Sequence, residues 1–303
     1  FTQGSRKEML DNLSGYVIVD TITIQNGAQQ ITIDQFKLLV DNEQRNGQPI
    51  HQLRVQPDLL TAHLRGAFRY QTLPATLQEF LHAYLPTLVE KPTIQRTETD
   101  NLDFYAYFRN LEPLSEVLEL DMSIPSTPTI KGFIHGKTQQ MALQAYIPHI
   151  NTSGTKMEDI TISMNNLDEQ LDVSVFVFNR LPKDNPTIAK LGDVKASIHI
   201  IAQNDNINLS VELGNTDSVR NEGIIDISTH LSTYQNKPKF DIQVQPTHII
   251  LNDSAWNIGE ANITYTIAEE AMDIDNFSLS TNYQLITANG RASKFATDSI
   301  DVV

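Results

Sequence analysis

The chain has 303 residues, with 37 acidic against 22 basic side chains for a net charge of -15, and no cysteine. That balance excludes nucleic acid as an expected partner, since phosphate binding needs clustered Lys and Arg; the missing cysteines exclude disulfides, thiolate metal sites and cysteine nucleophiles. No run approaches the roughly 18 to 20 apolar residues that cross a bilayer, and no basic-then-apolar signal leads the chain. It opens at Phe1 and stops at Val303 within the strand-like TDSIDVV, so it reads as part of something longer.

In chain order, YVIVDTITI, QQITI, HQLRVQ and AHLRGAFRY predict strands. LPATLQEFLHAYLPTLV then predicts an amphipathic helix near residues 74–89, with Leu77, Phe80, Leu81, Tyr84, Leu85 and Leu88 on one stripe. Pro74 is tolerated in a first helical turn, whereas Pro86 should disturb the last one. LDFYAYF and TIKGFIHG predict further strands around a short helix over Pro113 to Leu118.

From about Asp159 onward, ITISM, LDVSVFVF, VKASIHII, INLSVEL, IIDISTHL, FDIQVQ, ANITYTI and DSIDVV alternate apolar and polar residues. Period two is the pattern of strands with one buried face. Turn signals separate them, at Asn165 to Asp168, Gln203 to Asn206, Asn215 to Ser218 and Tyr234 to Pro238, which suits a meander of hairpins. The expected fold is mainly β, with a β-rich part over residues 1–150 that carries the helix and an all-β meander over 151–303.

About ten strands at about 4.8 Å spacing make a sheet on the order of 50 Å wide. A helix of about 16 residues spans only about 24 Å. Each Val, Ile or Leu left in water forfeits roughly 1.5 to 3 kcal/mol. The apolar face must be covered by the sheet folding on itself, by other chain, or by an apolar ligand.

Motifs for chemistry are sparse. GFIHGKT has three residues between Gly132 and Gly136 where a phosphate loop needs four. The eight histidines form no HExxH, and no metal or cofactor site is expected. Asp273-Ile274-Asp275-Asn276 lacks the glycine and terminal glutamate of a calcium loop and reads as a hairpin turn. No catalytic motif stands out, and no catalytic residue is assigned. The single tryptophan lies in LNDSAWNIG, where Asn252-Asp253-Ser254 predicts a turn between Ile249, Leu251 on one side and Trp256, Ile258 on the other.

Three stretches together resemble the TamB family of bacterial translocation and assembly proteins, relatives of the AsmA-like envelope proteins. The first is LRVQPDLLTAHLRGAFRYQTLPATLQEFLHAYLP, Leu53 to Pro86. The second is the run of strands with turns at Gly192, Gly214 and Gly223. The third is IILNDSAWNIG from Ile249 with the following DIDNFSLST and LITANGRASKFATDSIDVV. Pro57 departs from the pattern, where a small polar residue would be expected before Asp58.

The resemblance implies an elongated, curved sheet folded into a taco-like or U-shaped hydrophobic groove. It implies a periplasmic location with an inner-membrane anchor outside these residues, phospholipid acyl chains in the groove, and an outer-membrane barrel protein as partner in membrane assembly. Val173, Val175, Val177, Ile198, Ile200, Leu209, Val211, Ile225, Ile227, Ile242 and Val244 are expected on the groove side, with Trp256 shaping its end. The same alternation also fits an ordinary closed core. A closed-core structural or adhesive surface protein therefore stands as the alternative, with a glycan-processing enzyme on a β scaffold behind it.

Overall fold

A computed structural model describes residues 14–45, 48–56, 60–70, 72–93, 100–109, 111–152, 155–180, 193–215, 219–294 and 298–303. Among them are twenty strands and two helices, and the chain is mainly β with antiparallel pairing throughout. It divides into two compact units, one of Phe1–Phe80 with Pro92–Leu167 and one of Leu81–Lys91 with Asp168–Val303.

In the first unit β1 (Gly15–Asn26), β2 (Gln29–Arg45), β3 (Gln48–Val55), β4 (Leu60–Ala67), β5 (Asn101–Phe108), β7 (Thr129–His135), β8 (Gln140–Thr152) and β9 (Thr155–Asn165) pair in that order. The two-residue β6 (Met122–Ser123) joins the far end of β8. β2 is far longer than QQITI predicts. It continues through Gln35, whose φ of 52° is left-handed, and buried positions change parity there, from Ile31 and Ile33 to Phe36, Leu38 and Val40. The sequence reading also misses β8, because Pro148 lies within it; β7 pairing stops at Tyr146, so the missing N–H breaks no bond to that neighbour.

Helix α1 runs Leu73–Tyr84, ending two residues before Pro86 rather than at residue 89. The proline ring would clash with a carbonyl one turn back and disfavours helical backbone in Leu85. The buried stripe is also displaced from the expected one. Ala75, Thr76, Phe80 and Tyr84 are buried, while Leu77 and Leu88 are exposed. Asp100 explains the shift: its Oδ2 accepts from Thr76 Oγ1 at 2.8 Å and Thr72 Oγ1 at 3.1 Å, drawing the threonine side of the first turn inward. Helix α2 (Glu112–Val117) packs on β2, and its Val117 carbonyl accepts from Asn26 Nδ2 at 3.0 Å.

The second unit is a meander of β10 (Leu171–Arg180), β11 (Val194–Gln203), β12 (Asn206–Asn215) and β13 (Glu222–Tyr234), followed by two long strands that are each interrupted once. β14 (Lys237–Val244) and β15 (Thr247–Leu251) both pair with β13 and are split at Gln245-Pro246. β16 (Ser254–Ile258) and β17 (Ala261–Thr266) return antiparallel to them, split at Gly259-Glu260. β18 (Ala271–Ser280), β19 (Leu285–Ala292) and β20 (Ile300–Val302) complete the order. The turns at Asn204-Asp205, Gln235-Asn236 and Asn252-Asp253 have left-handed φ at both residues, the two-residue geometry that matches strand twist.

Three expectations change here. Asp273-Ile274-Asp275-Asn276 is the interior of β18, bulged before Phe277, and not a hairpin turn. Gly214 and Gly223 lie within β12 and β13 rather than in turns. Ser254 opens β16, so the turn before Trp256 is the pair Asn252-Asp253. Gly192, Pro57 and most of the Asn215 to Ser218 turn lie outside the described residues.

The segment Leu81–Lys91 is tied to the β11–β12 turn by Asp205. Its Oδ1 accepts from the Thr87 N–H at 3.0 Å, its Oδ2 from Thr87 Oγ1 at 2.9 Å, and its own N–H donates to the Tyr84 carbonyl at 2.9 Å. Asp205→Gly keeps the left-handed turn but removes the carboxylate. Orphaning a part-buried donor costs about 1 to 3 kcal/mol, so hydrogen exchange at Thr87 should accelerate roughly ten- to hundredfold.

Candidate functional site

The twelve residues singled out from alternation all lie on one face of the second unit. Val173, Ile200, Leu209, Ile227 and Val244 form a single cross-strand row across β10 to β14. Val175, Ile198, Val211 and Ile225 form the next row. Val177 heads a third, passing through Ala196, Leu213, Gly223 and Ile249 to Trp256. Ile242 continues through Ile263 to Ile274. The strict period of two places every second side chain on this face, and one register slip would send a whole row to the other.

Cover over this face is uneven. Val244, Ile258 and Ala261 form a buried cluster against which Ile225, Ile227, Ile249, Ile263, Phe277 and Leu279 pack. Leu231 and Ala202 are buried at the end where Asp205 holds the Leu81–Lys91 segment. Of the twelve residues, however, only Val244 is buried, at 8% exposure; the other eleven stay partly open.

The opposite face is polar. Asn208, Ser228, Gln243 and Asn262 form one row, and Asn206, His230, Asp241, Thr264, Asp273 and Arg291 another. Phe176 and Ile224 are exposed apolar exceptions on it. Arg291 joins Asp273, at 2.8 Å, to Glu269. Hydrogen bonds from Tyr234 and then Arg291 hold the Glu269 carboxyl below its ordinary range.

The first unit repeats the arrangement, which the sequence reading did not assign. Val40, Leu53, Leu64, Phe104, Gly132, Leu143 and Met164 form one row, with Leu38, Val55, Ala62, Ala106, Ile130, Ala145 and Ile162 beside it. A largely apolar depression of about 420 Å³ opens along Phe104, Gly132, Leu143, Met164 and Leu167. Period two in LDFYAYF and TIKGFIHG carried the signal. The outer face here bears Arg54, His63 and Arg65, and the Gln52 amide oxygen accepts from His63 Nε2 at 2.7 Å and Arg54 Nε at 2.9 Å. Burial, then the charges of Arg54 and Arg65, push the His63 pKa down.

None of the known family models, curated proteins or solved structures compared with the chain matches it.

Chemistry-bearing groups do not converge. Among the described residues no group of three His, Asp or Glu side chains is placed to hold a metal ion. A depression of about 350 Å³ on the polar face is lined by Asn206, Ser228, His230 and Thr264 with one carboxylate, Asp241. His199 Nε2 lies 3.1 Å from Asp172, but the Ser174 hydroxyl is directed to Asp172 at 3.5 Å rather than to the imidazole. A serine nucleophile needs the base itself within reach. No helix among the described residues is long and apolar enough to cross a membrane.

Proposed function

We propose that the chain is a segment of a periplasmic, TamB-like bridge that carries phospholipid along the apolar faces of its sheets and supports outer-membrane assembly. The acyl chains lie against the apolar rows, and the headgroup stays in water. An anchor to the inner membrane and an outer-membrane barrel partner belong to this reading through the family resemblance. Movement is passive: successive rows offer equivalent apolar contact, so a tail can slide without a nucleophile, metal or nucleotide.

One observation carries the reading. Eleven of twelve large apolar side chains, set in register on one face, are only partly buried. A closed-core adhesive protein would bury that set, since each such side chain gains roughly 1.5 to 3 kcal/mol on full burial. Acyl chains supply the missing cover at no cost in buried polar groups, because alternation has already sent the polar side chains to the other face.

The test is mass spectrometry of organic extracts of the purified protein, which should return phospholipid. Trp256 is the single tryptophan and lies at the end of the third apolar row, so its fluorescence reports on one place. Phospholipid with brominated acyl chains should quench it, and soluble bromide should do so less. Clean extracts together with an unquenched tryptophan would reject lipid carriage.

A further inference from the structure

Strand β1 is an open edge of the first unit. Among the described residues it pairs with β2 alone, and Tyr16 is 75% exposed, Val17 52% and Ile18 51%. A sheet edge presents a row of unpaired N–H and C=O groups, and proteins blunt such edges with Lys, Pro, bulges or very short strands. β1 has none of these. Its twelve residues, GYVIVDTITIQN, contain no Lys, Arg or Pro, Asp20 is their only charge, and the register with β2 is constant from Gly15 to Asn26. The second unit shows the contrast, since β20, which among the described residues pairs with β19 alone, has three residues.

Side chains of the same stretch give a second, independent observation. Tyr16 continues the row of Leu39, Arg54 and His63, and Ile18 stands beside Lys37, so both lie on the outer face. Val17 and Val19 lie on the apolar face, across from Leu38 and Phe36. Helix α2 meets the strand at its other end, where Asn26 Nδ2 reaches the Val117 carbonyl, and Gly15 to Ile18 stay exposed. An occupant of this edge must offer an extended backbone and, on both faces, apolar side chains. Lipid tails supply the second and not the first. The run Tyr16 to Val19 is itself a segment of the required kind, apolar at every position.

We propose that β1 pairs antiparallel with β1 of a second copy of the chain, about a two-fold axis at Ile18. Main-chain hydrogen bonds then close both open edges at once. Pairing about Ile18 sets that residue opposite its own counterpart on the outer face, and Val17 opposite Val19 on the other. Each Asp20 comes opposite a Tyr16, so no like charges meet. A ladder from Tyr16 to Asp20 is of ordinary strand length. Val17 follows Leu38 and Val55 in one apolar row, so pairing carries that row on into the second copy. The contact goes beyond lipid carriage and does not depend on it, because the backbone edge and the outer-face residues hold it as well.

Sedimentation equilibrium of the chain should show a concentration-dependent dimer. Ile18→Lys brings two ammonium groups together at the axis and should weaken association roughly tenfold or more, while hydrogen exchange in β2 and β3 stays as in the parent. Tyr283→Lys, at a 95% exposed aromatic of the second unit, should leave association unchanged. The chain has no cysteine, so Ile18→Cys reports the register: a short bifunctional thiol reagent should join two copies through it and should not join Tyr283→Cys. Phospholipid recovered per mole of Ile18→Lys should equal the parental value, which separates failure of pairing from failure of lipid carriage. A monomer at every concentration, or equal association in Ile18→Lys and the parent, would overturn the pairing. A monomer whose β1 amides are nonetheless protected would overturn it in favour of another segment of polypeptide at this edge.

Discussion

Ile200→Asp should strip bound phospholipid from the protein while leaving its fold in place. Ile200 is an interior member of the row from Val173 to Val244, between Val173 on β10 and Leu209 on β12, and it is only partly covered. In the lipid-free protein a carboxylate there still reaches water, so the cost is that of a poor strand residue, on the order of 1 kcal/mol. Against an acyl chain the same carboxylate loses water without gaining a partner. Even the more permissive membrane scales put that cost at about 2 to 3 kcal/mol, which converts to roughly a ten- to hundredfold fall in occupancy. Ser228→Asp adds the same charge to the polar face, between Asn208 and Gln243, and should leave lipid recovery unchanged. Quantifying phospholipid per mole of each variant checks the pair. Equal loss in both would mean that net charge, not the apolar row, governs binding.

The difference between those two variants was legible in the sequence to the extent that alternation was legible. LDVSVFVF and INLSVEL assign Val173 and Leu209 to one face without any coordinates, because period two is imposed by the backbone. The rows themselves needed register, which the two-residue turns fix: Asn204-Asp205 brings Leu209 opposite Ile200. Where a side chain interrupts the period within a strand, the pattern is not legible. Gln35 in a left-handed conformation switches the buried parity of β2, so QQITI marks only the first part of that strand, whereas FDIQVQ ends within a residue of β14, just before Pro246. The helix stripe failed for another reason, since hydrophobicity ranks Leu77 above Thr76, and only the tertiary partner Asp100 makes the threonine the buried residue. The apolar rows of the first unit are less legible because helix α1 lies between β4 and β5 in the chain, so only the register shows which of their residues face each other.

Gly66→Ala should be among the most damaging single substitutions in the first unit. Gly66 pairs with Leu102 on the apolar side of β4, and a Cβ added there would lie 1.9 Å from the Asn101 carbonyl oxygen and 2.6 Å from the Leu102 Cα. Both obstacles are backbone, so no rotamer change relieves them. Gly132 repeats the device two strands on, where an added Cβ would lie 2.3 Å from the Ala142 carbonyl oxygen and 2.6 Å from the Phe104 ring. Glycine inside a strand is a known sign of a tight bend or close approach, so AHLRGAFRY and TIKGFIHG held this information. Overpacking costs about 1 to 3 kcal/mol even when side chains can yield, and a backbone clash belongs at the upper end or beyond. Gly214 is the contrast: an added Cβ there meets nothing within 4 Å. Gly214→Ala should be neutral or stabilise by up to about 1 kcal/mol through the unfolded chain. Hydrogen exchange distinguishes the two, with β4 and β5 amides accelerating in Gly66→Ala and β12 amides unchanged or slower in Gly214→Ala. A Gly66→Ala protein with parental protection in β4 and β5 would mean that the two backbones can separate at this pair without loss of the ladder, so that the close approach at Gly66 is not required for their pairing.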